Sequence, residues 1–555
     1  MEPSITVAHA VADVVARHSP VVFSLMGNGN AHFVASLTGR GHRVVNVRHE
    51  TATVVAAHSY ALAGGGVAAA SATYGAGFTN LLTSLAEARL TRVPAVVVVG
   101  DAPTTGRRAI DIDQVAAAGA LYVRTLVVGT DDAVAQTELA YEIAVRDRVP
   151  VVVAIPYDLV DAPITASRAV DLPAPEDVLR AHELAGSFPI SAETAGNVAA
   201  LLQNAKRPLI LAGRGAVLAD AGGPLRDLGD RVGALFATSL MAHGFFGSPW
   251  DLGIAGGFST PQAAALIAEA DVVIVAGASM NLFQMRYDAL LADAAHVVQI
   301  DSLSAPTHSR VDSFHRADAR VFAEAVLEAL PDEQRPGWRQ SAVIPTRNAD
   351  AFDEFGPDGR LDPRAVMDRL ELMLPINKTI TQDNGHFMGW APRHLSAPDP
   401  EGMLLPGLGL HCIGLGAGSV IGVAAAREER LPVLVTGDGG FLMELSELDT
   451  MVRELSSALV IVMNDAAFGM EVHQYGARGL DTGAMRFPEV DFAALAEAIG
   501  ARGAKIRALD DLDRVATWLE DGAQGVFIAD VAISPEVVAD WLTLSNTYNG
   551  VPSAD

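Results

Sequence analysis

Leu431-Pro432-Val433-Leu434-Val435-Thr436-Gly437-Asp438-Gly439-Gly440 is an apolar run that stops at a glycine turn built around one acid. A helical stretch follows over 442–455, and a second apolar run, 458–463, ends at Asn464-Asp465. Apolar runs on either side of a helix read as parallel strands buried on both faces. Neighbouring parallel strands deliver their C-terminal ends to one edge, where open α/β sheets bind ligands. Asp438 and Asn464 are therefore expected to meet there. Both are hard oxygen donors, of the kind that Mg²⁺ or Ca²⁺ takes alongside phosphate oxygens. Gly437, Gly439 and Gly440 leave bare backbone at a helix N-terminus, whose amides bind phosphate. Taken singly, Gly-Asp-Gly is an ordinary turn and Asn-Asp a strand-end cap. Their joint spacing and oxygen chemistry favour a site.

The same grammar recurs outward from this stretch. Short Val/Ile runs near 20–25, 94–100, 150–156, 208–213, 271–277, 297–301 and 525–533 each end in Gly, Asp or Pro, with Ala/Leu-rich helical stretches between. The class is α/β. At 555 residues the chain is too long for one core. Segments near 171–189 and 331–363 read as linkers, which leaves three doubly wound parallel-sheet domains at 1–170, 190–335 and 360–535. Residues 536–555 show no clear pattern and are expected to form a C-terminal tail.

Half of the chain is hydrophobic, so disorder is not expected, and the formal net charge of −27 argues against nucleic acid or an anionic membrane as partner. A phosphorylated cofactor stays compatible, since backbone amides and a metal hold phosphate locally. Cys412 is the single cysteine, which suits a reducing cytoplasm and rules out an intrachain disulfide. The start of the chain lacks a basic segment followed by an apolar run, so no signal peptide is expected. Apolar runs such as 93–100 are too short to span a bilayer.

The segment from Gly437-Asp438-Gly439 to Asn464 resembles the thiamine-diphosphate motif, which begins Gly-Asp-Gly and closes on Asn. Arg48-His49-Glu50 is similar to the strand end of acetolactate synthases and benzaldehyde lyases. Gly75-Ala76-Gly77-Phe78-Thr79-Asn80 is similar to their glycine-rich turn, and Asp111-Ile112-Asp113-Gln114 to the loop carrying an active-site glutamine. The resemblance implies pyrimidine-binding, central and diphosphate-binding domains in that order. It also implies homodimers or homotetramers with each active site shared between two chains.

By the same resemblance, Glu50 hydrogen-bonds N1′ of the cofactor's aminopyrimidine, so that N4′ takes the proton from thiazolium C2. Asp438, Asn464 and the Ala466 carbonyl hold Mg²⁺. Gly385 and His386 form a turn at the diphosphate, Gly469 and Met470 lie near the phosphates, and Ile413 is the wedge that bends the cofactor. Gln114 is a catalytic candidate, as is His411, which stands where the family usually has a glycine. Substrate candidates are Asn28, Gly29, Asn30, His32 and His473; benzaldehyde lyase has a His where this chain has Gly29. Acetolactate synthases often bind FAD through Gly-Ala-Arg, but this chain reads Gly277-Ala278-Ser279, so FAD is not expected.

The implied activity is decarboxylation of a 2-oxo acid followed by carboligation, as in acetolactate synthases. The alternatives are a benzaldehyde lyase-like acyloin lyase or carboligase, and a simple 2-oxo acid decarboxylase. Two other classes fit the sequence less well. A nicotinamide enzyme would need Gly414 to Gly422 to follow a strand with fingerprint spacing, and they do not. A binding protein that had lost catalysis would not need Glu50, Gln114, Asp438 and Asn464 together.

Overall fold

The computed structural model describes residues 5–165, 189–294, 296–345 and 352–551. Residues 171–188 of the first expected linker and 346–351 of the second lie outside them, as do the ends of the chain at 1–4 and 552–555.

Three six-stranded sheets, parallel throughout, account for the strands among the described residues. The first runs in space Arg43–Asn46, Val21–Ser24, Ala69–Ala72, Ala95–Asp101, Pro150–Pro156, Arg124–Val127. The third repeats that order with Met403–Leu404, Lys378–Gln382, Leu431–Gly437, Ser457–Asn464, Gly525–Ala532 and Arg502–Ile506. The middle sheet differs: Ser313–Arg316, His296–Asp301, Val272–Ala276, Pro208–Ala212, Leu235–Thr238, Asp251–Ile254. Its order is that of dinucleotide-binding sheets, with a switch point between Pro208–Ala212 and Val272–Ala276. That crevice is narrow here, because a Cβ at Gly213 would stand 2.3 Å from the Gly277 carbonyl oxygen.

Central strands such as Leu431–Gly437 are buried along their whole length, as helices on both faces require. The helical stretch read over 442–455 is two helices, Asp438–Met443 and Glu447–Glu454, with the break at 444–446. The first and third sheets are joined within the chain by crossing of the helices Glu50–Leu62 and Gly416–Ala426. Gly418 and Gly422 permit the close approach: a Cβ at Gly422 would lie 2.1 Å from the Ala56 carbonyl oxygen. Ser59 donates to Ser419 across the same crossing. The glycine run 414–422 thus serves helix packing.

The expectation of an unpatterned tail over 536–555 is not met. Asp540–Tyr548 is a helix, and Trp541 packs beside Phe258 and Phe283 with ring centroids 6.5 and 6.2 Å away. Its indole N–H donates to the His386 carbonyl. Two buried apolar residues, Trp541 and Leu542, are enough to dock it once the middle and third units supply the partner surface. No helix among the described residues is long and apolar enough to cross a membrane.

Candidate active site

Parallel pairing of Leu431–Gly437 with Ser457–Asn464 puts Gly437 opposite Met463, so Asp438 and Asn464 leave the sheet at the same edge. Both are buried. Asp438 accepts N–H bonds from Gly439 at 2.8 Å and from Ala466 at 2.7 Å. Burial, and then the charge of neighbouring Asp465, push its carboxyl up to about 7. Asp465 itself is pushed up to about 6, chiefly by burial. Asn464 spends both amide hydrogens, on the Val490 carbonyl at 3.0 Å and on Asp530 at 2.8 Å. Its Oδ1 is buried and has no hydrogen-bond partner among the described residues. Ala466 sits at φ +59°, and its carbonyl accepts from Phe487 N–H, which leaves the oxygen's second lone pair. A strained buried carboxylate and an orphaned amide oxygen are what a hard dication would relieve. Among the described residues no three His, Cys, Asp or Glu groups cluster as a metal set; a dication held at this edge would take Asn464 and a backbone carbonyl beside Asp438.

The surrounding turns are kept open by glycine. Gly385 has φ +150°, a backbone only glycine adopts readily. A side chain on Gly439 would strike Phe468, and one on Gly440 would meet Asp383 Oδ2 at 2.4 Å. Asp383 accepts N–H bonds from Gly414 at 2.8 Å and from Asn384 at 2.9 Å, and Asn384 donates to the Cys412 carbonyl at 2.7 Å. Ile413 is half-buried, and the amide of the next residue, Gly414, lies 3.6 Å from where a Cβ on Gly440 would stand. A second clamp comes from the first unit: Glu87 accepts from Gly407, Gly409 and Leu410 N–H. His411 adopts φ +56°, so the left-handed conformation that a glycine makes easy is kept with a side chain in place.

His386 is buried, and its Nε2 accepts from Ala539 N–H at 2.9 Å. Burial drives its ring down to about 3, so it is neutral. His473 stands with its ring centroid 4.6 Å from that of His386, and its Nε2 is buried without a partner. Gly469 lies against Asp465 and the His386 Cβ. Met470 is partly buried on the same helix, Gly469–Gly476. Asp438, Asn464, Ala466, Gly469, His386 and His473 therefore share one edge.

Glu50 starts its helix after the N-cap His49, whose Nδ1 accepts from Thr51 N–H. Asn80 donates to Glu50 Oε2 at 2.9 Å. A Cβ at Gly77 would stand 3.3 Å from Oε1, so the glycine keeps that oxygen accessible. Glu447 of the third unit accepts the Arg48 and His49 amides at 2.9 and 2.7 Å, anchoring the strand end from which Glu50 leaves. Among the described residues, no hydrogen bond joins Glu50 to the Asp438–Asn464 edge of the same chain.

Gln114 is buried, and both ends of its amide are engaged. Oε1 accepts from Gly75 N–H at 2.8 Å, while Nε2 donates to the Gly100 carbonyl and to Asp101. It holds the turn that carries Asn80. Asn30 is similarly consumed by Gly27, Leu25 and Ser71, within the loop after the first strand. Asn28 is exposed and donates to the Tyr74 hydroxyl at 2.8 Å, and His32 is exposed on the following helix. A Cβ at Gly29 would stand 2.6 Å from the Tyr74 ring, which explains why no side chain occupies that position. Asn80, Glu87, Asp383, Glu447, Asp465 and Asp530 were not singled out from sequence. A cavity of about 320 Å³ between the middle and third units, lined by His243, Asp251, Phe258 and Arg393 among others, contains none of the residues above.

Comparison with known proteins matches this architecture. Residues 5–119, 196–330 and 383–529 match the N-terminal TPP binding domain, the central domain and the C-terminal TPP binding domain of thiamine pyrophosphate enzymes. The chain belongs to that family and is a thiamine-diphosphate-dependent enzyme. It is 27% identical over 515 residues to a probable acetolactate synthase large subunit of Methanocaldococcus jannaschii, covering 89% of this chain and 86% of the relative. It is 26% identical over 529 residues to a probable 2-ketoarginine decarboxylase of Pseudomonas aeruginosa, covering 93% and 92%. It is also 26% identical over 563 residues to the human 2-hydroxyacyl-CoA lyase 2, covering 93% and 87%.

Proposed function

We propose that the chain is a Mg²⁺-dependent carboligase of the acetolactate synthase type, which decarboxylates a 2-oxo acid and joins the fragment to a second carbonyl. The observation that carries the metal and cofactor part is the Asp438–Asn464 edge, where a carboxylate with a raised proton affinity faces an orphaned amide oxygen. Asp438, Asn464 Oδ1 and the Ala466 carbonyl would hold the dication, with the Gly385 and Gly437–Gly440 turns and Gly469 and Met470 around the diphosphate. When bound, thiamine diphosphate supplies a nucleophilic thiazolium carbon and an electron sink. Glu50 Oε1, left clear by Gly77, would share its proton with the aminopyrimidine nitrogen, while Asn80 fixes the other oxygen. Ile413 would hold the two rings bent, and His411, His473, Asn28 and His32 would line the approach of the substrate. Gln114 acts through the Gly75–Asn80 turn in this reading.

The site is completed by a second chain in a homodimer or homotetramer, working in the cytoplasm. No hydrogen bond joins Glu50 to Asp438 among the described residues, and exposed apolar side chains stand beside both halves: Met26 and Ile110 near Asn28, Leu410 and Met443 near Ile413. Flavin is not part of this reading. Ser279 stands where the resembling flavin enzymes carry Arg, and its hydroxyl donates to Gln284. A second reading, an acyloin lyase, draws support from the Gly-Phe-Thr-Asn turn that fixes Glu50 and from the relative named a 2-hydroxyacyl-CoA lyase. A simple decarboxylase is the third.

Holoenzyme incubated with a panel of 2-oxo acids and acyloins, read by CO₂ release and product mass, separates them. Release of CO₂ with a 2-hydroxyketone product supports the carboligase. Acyloin cleavage without CO₂ release favours the lyase, and CO₂ with free aldehyde alone favours the decarboxylase. No turnover of either class would contradict the proposal.

A further inference from the structure

We propose that Asp530 is a positioning residue that decides which end of the Asn464 amide faces the dication. The inference rests on the reading of Asp438 and Asn464 as metal ligands. An asparagine is a usable ligand only through its oxygen; presented the other way round it offers two N–H donors to a cation. Something must therefore fix the amide, and the neighbouring strand supplies it. In the register of Ser457–Asn464 with Gly525–Ala532, Asp530 lies opposite Val462, two residues short of Asn464. Its side chain is buried at the same edge. One carboxylate oxygen accepts Asn464 Nδ2–H at 2.8 Å, and the other accepts Phe492 N–H at 3.1 Å. The second Nδ2 hydrogen goes to the Val490 carbonyl at 3.0 Å.

Both partners of the Asn464 nitrogen are acceptors only. Turning the amide over would set its oxygen against a carboxylate and a carbonyl at once, with no hydrogen between them. The observed orientation follows from that donor–acceptor arithmetic, and it leaves Oδ1 buried and without a hydrogen-bond partner among the described residues. Of the two acceptors the carboxylate holds more strongly, because charge-assisted hydrogen bonds are roughly twice as strong as neutral ones.

Asp530→Asn is the sharp perturbation. The new amide has one oxygen for two donors, Asn464 Nδ2 and Phe492 N, and its own NH₂ group is satisfied only if Asn464 turns over. Asp530→Ala is the milder one: it removes the carboxylate without offering a donor, so the amide is held by the Val490 carbonyl alone.

The test titrates Mn²⁺ into full-length protein held in saturating thiamine diphosphate, with free Mn²⁺ read by electron paramagnetic resonance. Thermal unfolding in EDTA is recorded alongside. Asp530→Asn should weaken metal binding by about 10- to 100-fold, the usual cost of losing an outer partner of a ligand, and Asp530→Ala should weaken it less. Parent-like Mn²⁺ affinity in Asp530→Asn overturns the inference while leaving the metal site itself intact. A parent protein that binds no Mn²⁺ with its cofactor overturns the metal reading, and this inference with it. Should Asp530→Asn fail to fold, Asp530→Ala decides: a folded Ala variant that binds Mn²⁺ more weakly than the parent supports the role, and one with parent-like affinity contradicts it.

Discussion

Replacement of Glu447 separates an anchoring role for this residue from simple core filling. Its side chain is fully buried. Oε1 accepts Arg48 N–H at 2.9 Å and His49 N–H at 2.7 Å, and Oε2 accepts the Thr450 hydroxyl at 2.7 Å. In Glu447→Gln the amide oxygen can keep the two backbone donors, and the Thr450 hydroxyl can turn to accept from the new NH₂. Only the charge assistance is lost, about 1–2 kcal/mol. Glu447→Ala strands both backbone N–H groups, at about 1–3 kcal/mol each, so a loss of about 2–6 kcal/mol is expected, with a cavity cost on top. Because His49 immediately precedes Glu50, the rate should follow the structure. Hydrogen–deuterium exchange at C2 of bound thiamine diphosphate should slow only slightly in the Gln variant and roughly 10- to 100-fold in the Ala variant, the scale of about 1 Å of misplacement. Denaturant unfolding and quenched-flow NMR measure the two effects. An Ala variant with the parent's unfolding midpoint and exchange rate would refute the reasoning.

Three further outcomes follow from the geometry. Burial raises the Asp383 and Asp438 carboxyls from 3.8 to about 6 and about 7, so between pH 4 and those values the folded chain holds protons that the unfolded chain has released. Buried His58 and His386, held down to about 3, act in the opposite direction over the same window, so the Asp383 share is read against Asp383→Asn: in metal-free protein the parent's stability relative to that variant should fall by about 3 kcal/mol as pH rises from 4 to 7. A parent-minus-variant stability difference in EDTA that stays constant from pH 4 to 7 would contradict this. Gly422→Ala drives a methyl to 2.1 Å from the Ala56 carbonyl oxygen, and should cost about 1–3 kcal/mol in denaturant unfolding; an unchanged midpoint would be contrary. Inactive Glu50→Gln and Asp438→Ala chains refolded together should regain activity in mixed dimers, while hybrids that form and stay inactive would rule out the shared site.

What the sequence revealed divides along the distance between partners. Strands such as Leu431–Gly437 and Ser457–Asn464 are continuous apolar runs, readable because both faces of a parallel sheet are covered. Ala69–Ala72 carries no such signal, since alanine and serine favour helix or turn, and its strand state comes from pairing with Val21–Ser24 and Ala95–Asp101. Edge strands such as Arg124–Val127 and Ser313–Arg316 are short and part-exposed, and they too escaped notice. The meeting of Asp438 and Asn464 at one sheet edge was legible because Asp438 follows a readable strand within a glycine turn and Asn464 ends the next one. Glu87, Glu447 and Asp530 were not, because an acid says nothing of its partners when these lie 320, 399 and 66 residues away. The helix at Asp540–Tyr548 was missed for the same reason: its docking surface is assembled by other units.

Exchange of the C2 proton of bound thiamine diphosphate, followed by NMR after acid quench in the parent and in Glu50→Gln, tests the central claim most directly. The account predicts rapid exchange in the parent. It predicts exchange slower by roughly two to four orders of magnitude in the variant, with the cofactor still bound and the fold intact. Near-parental exchange in Glu50→Gln would contradict it.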